Sequence, residues 1–250
     1  MSRYFIYLSY NGTRYCGWQN QPNGISVQCC LEEVISKVLR HDIRIVGAGR
    51  TDAGVHARMM VAHFDVPEVI ENTAALVEKL NNMLPKDIAI SKITPVTDDA
   101  HARFDACSRT YKYVLSEKKD TFNYEYVYRM SLKKMDFDAM NRACRVLFYY
   151  SDFTSFSKLH TDVKTNNCRI MQAEFVPHKE GWCFIIRADR FLRNMVRAVV
   201  GTLLEVGRGK MTLDEFRAVI EAKDRCKAGS SVPAQGLFLV EVEYPEAIFL

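Results

Sequence analysis

From residue 3 the side chains alternate, RYFIYLSY, as they do on a strand with one buried face. The spacing changes after Ser26. In SVQCCLEEVISKVLR the apolar residues recur every three or four positions, which predicts an amphipathic helix with Ser26 as its N-cap. Residues 43–46 (IRIV) and 59–66 (MMVAHFDV) read as strands. TAALVEKLNNML reads as a helix that stops before Pro85, and DIAISKITPV as a further strand. The order β-α-β-β-α-β predicts a ferredoxin-like, split βαβ arrangement for residues 1–104.

Residues 105–250 follow the same grammar more loosely. SRTYKYVLSE and EYVYRM predict strands, DFDAMNRACRVL a helix, and CRIMQAEFVPH with GWCFIIRADR a hairpin turning near residues 179–181. FLRNMVRAVVGTLLEVG predicts a long helix with Gly207 as its C-cap glycine. TLDEFRAVIEAK predicts a helix capped by its threonine, and GLFLVEVEY a closing strand. The expected fold class is therefore α+β, with two ferredoxin-like halves whose antiparallel sheets adjoin. No low-complexity linker separates the halves, so a central active-site cleft between them is expected.

Composition narrows this picture only a little. At 250 residues, 48% hydrophobic and 26% charged, the chain can bury a core as one large domain or two small ones. No apolar run is long enough for a membrane span, and the opening residues alternate too strongly for a signal peptide. A cytoplasmic protein is expected. The net charge of +4 suits a nucleic-acid partner without singling one out. The eight cysteines include no C-x-x-C pair, so they are expected to be reduced and packed as small hydrophobes, Cys29 and Cys30 within the first helical pattern.

The chemistry gathers at residues 45–57, IVGAGRTDAGVHA, where glycines and alanines surround Arg50 and Asp52. Three readings compete. A dinucleotide-binding turn needs G-x-G-x-x-G opening a helix, whereas a strand pattern follows here. A metal-assisted hydrolase could use Asp52 with His56 four residues on, although one such pair is a sparse ligand set. The third reading is a single catalytic carboxylate. Arg50 beside it favours the ionised form, and the glycines clear space for a bulky substrate. A lone carboxylate suits a reaction without net hydrolysis or redox change, such as isomerisation of a glycosidic bond.

GAGRTDAGVHA closely resembles the signature loop of the TruA family of tRNA pseudouridine synthases. Further segments resemble the family in its own order: YNGTRYCGWQNQ, DDAHARFDACSRTYKYVL, DFTSFSK, FLRNMVRAVVGTLLEVG and PAQGLFLV. The resemblance implies isomerisation of uridine to pseudouridine at positions 38, 39 and 40 in the anticodon stem-loop of tRNA. It also implies a homodimer that needs neither metal nor organic cofactor. Carried onto this chain, it makes Asp52 the nucleophile and Arg50 a residue placing the flipped base and the RNA backbone. Tyr111 would pack on the target uracil, Arg197 would ion-pair with Asp52, and Leu237 would close the other side of the pocket. Ala198 stands where the family often has asparagine, and Arg58 where bacterial relatives often have glycine.

These roles are physically reasonable. Extruding a uridine from its stack costs a few kcal/mol, and base–aromatic stacking on Tyr111 returns about 1–3 kcal/mol. On pattern alone, Tyr111 reads equally as a cross-strand aromatic like Tyr113. Arg190, Arg193 and Arg197 fall three and four apart, which predicts one basic helix face, either a solvated edge or a phosphate track.

Overall fold

The computed structural model describes residues 1–22, 24–158, 165–179 and 181–250. Its chain folds into two compact units. One comprises Met1–Cys107 together with Phe238–Leu250, the other Ser108–Leu237. The architecture is mixed α+β with mostly antiparallel strand pairing. Residues 238–250, grouped with the second half on sequence grounds, count with the first unit.

In the first unit, strand β1 (Ser2–Tyr10) is followed by helix α1 (Val27–Leu39), a two-residue strand β2 (Val46–Gly47), and the long strand β3 (His56–Val66). Helix α2 (Thr73–Met83) and strand β4 (Ile88–Val96) complete the series. The alternating β1 lies between β3 and β4, antiparallel to both. Phe5, Ile6 and Leu8 of β1, Met60, Val61 and Phe64 of β3, and Val27, Leu31 and Ile35 of α1 are all buried in the core. Ser26 caps α1 as expected, its hydroxyl accepting from the Cys29 N–H at 3.0 Å.

The strand expected at residues 43–46 is largely absent, and the reason lies in α1. Ile43 N–H donates to Ser36 Oγ at 2.9 Å, Ile45 N–H donates to the buried Glu32 carboxylate at 3.0 Å, and Gln28 Nε2 donates to Ile45 O at 3.0 Å. Helix side chains have taken the backbone groups that a ladder would use. Only Val46 and Gly47 pair, opposite His63 and Ala62. Nearby, His63 is buried with its Nδ1 accepting from Ala102 N–H at 3.1 Å. Burial, reinforced by Arg3 and His101, pushes it from 6.5 down to about 4.

The second unit opens with strand β5 (Ser108–Ser116). EYVYRM does not continue as a full strand. Tyr124–Tyr126 is a 3-10 turn, its Tyr124 carbonyl and that of Val127 accepting from the Gln235 amide, and only β6 (Tyr128–Arg129) pairs with β5. Helix α3 (Phe137–Val146) precedes strands β7 (Ile170–His178) and β8 (Gly181–Ala188), which form an antiparallel ladder with β5, β8 in the middle. The hairpin turn expected at residues 179–181 includes residue 180, which lies outside the described residues. Helix α4 (Met195–Gly207) and helix α5 (Leu213–Glu221) follow, the latter with a capping box between Thr212 and Glu215.

Two expectations about α4 change. It begins at Met195 because Asn194 sits at φ +65°, outside the helical range, so Arg190 and Arg193 are not on the helix and share no face with Arg197. At the other end Gly207 is the last helical residue, and Gly209 (φ +69°) holds the left-handed turn. Gly207 is small for a packing reason: a Cβ there would stand 2.4 Å from Met140 Sδ on α3. All eight cysteines are free. Cys144, Cys168 and Cys183 are buried as small hydrophobes, but Cys29 is exposed on the outer face of α1.

The closing strand β9 (Leu237–Glu243) runs parallel to the start of β3, with Phe238 opposite His56 and Leu239 opposite Ala57.

Candidate active site

The glycine stretch forms the connection from β2 to β3, and its shape is set by close backbone packing. Ala48 N–H donates to Val61 O at 2.7 Å as the chain leaves β2. At residues 52–55, Val55 N–H closes a turn onto Asp52 O at 3.1 Å with Gly54 at φ +78°, the left-handed value that the third position of a type II turn requires. Asp52 is partly exposed at the head of this turn and Arg50 is exposed before it. A Cβ on Gly49 would meet nothing within 4 Å, so the small residue there borders open space.

The turn rests on residues 10–18, a bed that sequence reasoning did not assign. Gly17 (φ +108°) packs so tightly that a Cβ would lie 2.5 Å from Thr51 O and 3.2 Å from the Asp52 carbonyl carbon. A Cβ on Gly12 would lie 2.0 Å from Val55 O. Trp18 N–H donates to Thr51 O at 3.2 Å, and the Tyr10 hydroxyl shares a buried 2.8 Å hydrogen bond with Thr51 Oγ1. The indole of Trp18 in turn lies over Gly47, where a Cβ would come within 2.5 Å of the ring. The available signal was the pair of glycines in YNGTRYCGW, five residues apart and outside any helical pattern.

His56, the residue that raised the metal reading, is spent on structure. It is buried, its Nδ1 accepts from Gly12 N–H at 3.0 Å, and its ring stacks on Phe238 at 4.7 Å. That bond requires the neutral ring with the proton on Nε2. Among the described residues, no three His, Cys, Asp or Glu side chains gather as metal ligands.

Tyr111, Arg197 and Leu237 all belong to the second unit, whereas Asp52 and Arg50 belong to the first. Tyr111 stands on β5 opposite Ile186, buried, with Phe191 edge-on to its ring at 5.2 Å. Arg197 lies in the first turn of α4, and its Nε donates to Val232 O at 2.7 Å while Val232 N–H returns a bond to Arg197 O. Val232 leads to Pro233, whose carbonyl accepts from the Tyr113 hydroxyl at 2.8 Å, and Gly236 packs on the Tyr113 ring. Burial raises the Tyr113 phenol far above its ordinary value, so it serves as a fixed donor. Within this unit the structure therefore gathers the strand of Tyr111, the arginine of α4 and the segment ending at the buried Leu237.

That segment is itself strapped to α4. Gly229 N–H donates to Thr202 Oγ1 at 2.9 Å, Asn194 Nδ2 donates to Ser231 Oγ at 2.6 Å, and a Cβ on Gly201 would collide with Ser230 O. The helix carries a glycine so that the strap can cross it.

Comparison with known proteins joins these features. Residues 6–105 and 147–245 match the family described as tRNA pseudouridine synthase. The whole chain is 64% identical to tRNA pseudouridine synthase A of Parabacteroides distasonis, over 98% of that protein. It is 57% identical to tRNA pseudouridine synthase A of Porphyromonas gingivalis over the full length of both. With that of Caldicellulosiruptor bescii it shares 39% identity, over 98% of this chain and all of that protein. The aspartate turn, its bed and the strapped helix all fall inside the matched residues, and the chain belongs to the tRNA pseudouridine synthase family of isomerases.

Proposed function

We propose that this enzyme converts uridine to pseudouridine at positions 38, 39 and 40 in the anticodon stem-loop of tRNA, with Asp52 as its single catalytic carboxylate and no cofactor. The observation that carries the reading is the Asp52 turn: a partly exposed carboxylate held by main-chain packing, in a chain of this family. A preorganised carboxylate beside an arginine is suited to attack at a sugar or base without an external nucleophile.

In the proposed reaction the bond between uracil N1 and ribose C1′ breaks, the ring turns while it is held, and C5 bonds to C1′. The hydrogen on C5 leaves to solvent and N1 gains a proton, so the isomerisation is balanced without oxidant or water. Tyr111 supplies the aromatic surface for the extruded base and Leu237 the apolar closure opposite it. Arg50 places the base and backbone. Arg197, its guanidinium plane fixed by the Val232 carbonyl, is the proposed ion-pair partner of Asp52. We read both units as ferredoxin-like variants, and the enzyme as a cytoplasmic homodimer.

Tritium at uridine C5 tests this directly. Anticodon stem-loop RNA so labelled should release tritium to water on addition of the protein, with chelator present and without nucleotide cofactors. Asp52→Asn should lower the release about a thousandfold or more while leaving RNA affinity within a few-fold. Tight binding without release from folded wild-type protein, or loss of binding in step with rate in Asp52→Asn, would overturn the assignment.

A further inference from the structure

The basic residues that sequence spacing assigned to one helix face are gathered by a different device. Asp189 follows β8, and its Oδ1 accepts two backbone N–H groups, from Arg169 at 2.7 Å and from Arg190 at 2.8 Å. Its carbonyl accepts from Arg109 Nη1 at 2.8 Å, and its own N–H donates to Arg169 O at 3.2 Å. One acid thus ties three arginine-bearing segments at one end of the β5-β8-β7 ladder, and its carboxylate bonds to the main chain. Arg187, two residues earlier, donates from Nε to Ser108 Oγ at 3.0 Å.

Lys158 adds to this surface from another direction, because its N–H donates to Arg193 O at 3.0 Å. Lys158, Arg169 and Arg193 are exposed and Arg190 is half-buried. Among the described residues no carboxylate lies within ion-pairing distance of Lys158, Arg169 or Arg190. Asp152, on the same side of the unit near Cys168, is occupied by Lys223 at 3.0 Å and by Thr154. Lys158, Arg169 and Arg190, with no described carboxylate in ion-pairing reach, repel one another, a repulsion that a bound polyanion would offset. Between Arg190 and Arg193 sits Phe191, the ring that packs edge-on against Tyr111.

We infer that Lys158, Arg169 and Arg190, positioned by Asp189 and the Arg193 carbonyl, form a binding site for the sugar-phosphate backbone of RNA beside the nucleotide that stacks on Tyr111. The ligand chemistry is successive phosphodiesters, recognised by charge and not by base. The inference rests on the RNA-modifying reading proposed above, and deepens it by naming where the strand is held.

The test is the salt dependence of binding to a fluorescently labelled anticodon stem-loop RNA, alongside an unrelated stem-loop of the same length. Each phosphate contact contributes roughly 0.7–0.9 to the slope of log K against log salt. The triple variant Lys158→Gln, Arg169→Gln, Arg190→Gln should therefore lower the slope by about 2–3 and weaken both RNAs more than about tenfold at moderate salt. The charge-conserving triple, K158R/R169K/R190K, should keep the wild-type slope. Arg217→Gln, exposed on α5 and paired with Asp214, serves as the surface-charge control and should not move it. Arg169→Gln alone, whose side chain bonds to none of the described residues, keeps the test available should the triple fold poorly.

An unchanged slope in a folded glutamine triple would overturn the inference. So would equal loss in the charge-conserving triple, which would point to packing. Dissociation of a homodimer by the triple, seen by sedimentation at the assay concentration, would reassign the surface to contact between copies. Failure of tritium release with an intact salt response would instead overturn the catalytic reading and leave the phosphate site standing.

Discussion

The turn that carries Asp52 and the strap at residues 228–237 that leads to Leu237 are both irregular segments presenting proposed site residues, yet they are held largely by different means. The turn is fixed largely by backbone lying on backbone: Gly12 and Gly17 admit no Cβ, and Tyr10, Thr51 and His56 add side-chain bonds. The strap shares one such close approach, Gly201 under Ser230 O, and one main-chain bond, Val232 N–H to Arg197 O, but draws most of its bonds from side chains, those of Arg197, Asn194, Tyr113, Gln235 and Arg225. Main-chain packing leaves few degrees of freedom but tolerates no added atom. Side-chain bonding distributes the restraint, so each loss is partial. In the proposed reaction the first would suit a carboxylate that must sit within a fraction of an ångström, the second a surface that closes over a base.

The comparison predicts unequal sensitivity. The largest effect should come from Gly12→Ala, whose methyl would stand 2.0 Å from Val55 O. Displacing the turn by about 1 Å should cost on the order of a hundredfold in kcat/KM. Steady-state kinetics with stem-loop RNA checks this, and near-normal turnover would break the contrast. Arg197→Met should lower kcat/KM roughly ten- to a hundredfold, combining loss of a charge-assisted contact with loosening of Val232. Kinetics of Arg197→Lys, which keeps charge but not the Nε bond, separates the two contributions.

Smaller effects sharpen the picture. His56→Leu leaves Gly12 N–H without its acceptor and should destabilise by about 1–3 kcal/mol, whereas His56→Asn keeps an acceptor and should recover part of that in a denaturant titration. Gln235→Leu removes two bonds to partly exposed carbonyls and should cost about 1 kcal/mol. The last contrast depends on pH. Among the described residues the buried histidines are His56 and His63, both in the first unit. His63 stays neutral down to about 4 when folded, while the unfolded chain takes a proton near 6.5. Stability present above pH 6.5 should therefore erode as pH falls from 6.5 towards 4, and His63→Asn should flatten that slope in denaturant midpoints measured across the range.

The alternation of RYFIYLSY and the capped periodicity after Ser26 and Thr212 were readable because local pattern and tertiary role agree there. IRIV was not, because Ser36, Glu32 and Gln28, 7 to 17 residues earlier, claimed its backbone groups. The basic face of α4 failed on a single φ angle at Asn194, which no periodicity reveals. Of the proposed site residues, Asp52 and Arg50 are marked by composition, and Tyr111, Arg197 and Leu237 only by family resemblance. Gly12 and Gly17 stayed hidden because the atoms they accommodate lie some 35–45 residues further along the chain.

His56 stacks on Phe238, and the whole of Ser108–Leu237 intervenes between the two parts of the first unit. During synthesis the second unit is a continuous stretch that can condense as it emerges, whereas the first must wait for its final strand. Until residues 238–250 arrive, the edge of β3 next to the Asp52 turn is unpaired and His56 lacks its stacking partner. Long-range closure of this kind is slow, and an open strand edge is a hazard while it lasts. A chain ending before residue 238 would thus keep the Asp52 turn on its bed of residues 10–18 but leave the β3 edge beside it open and His56 without its ring partner.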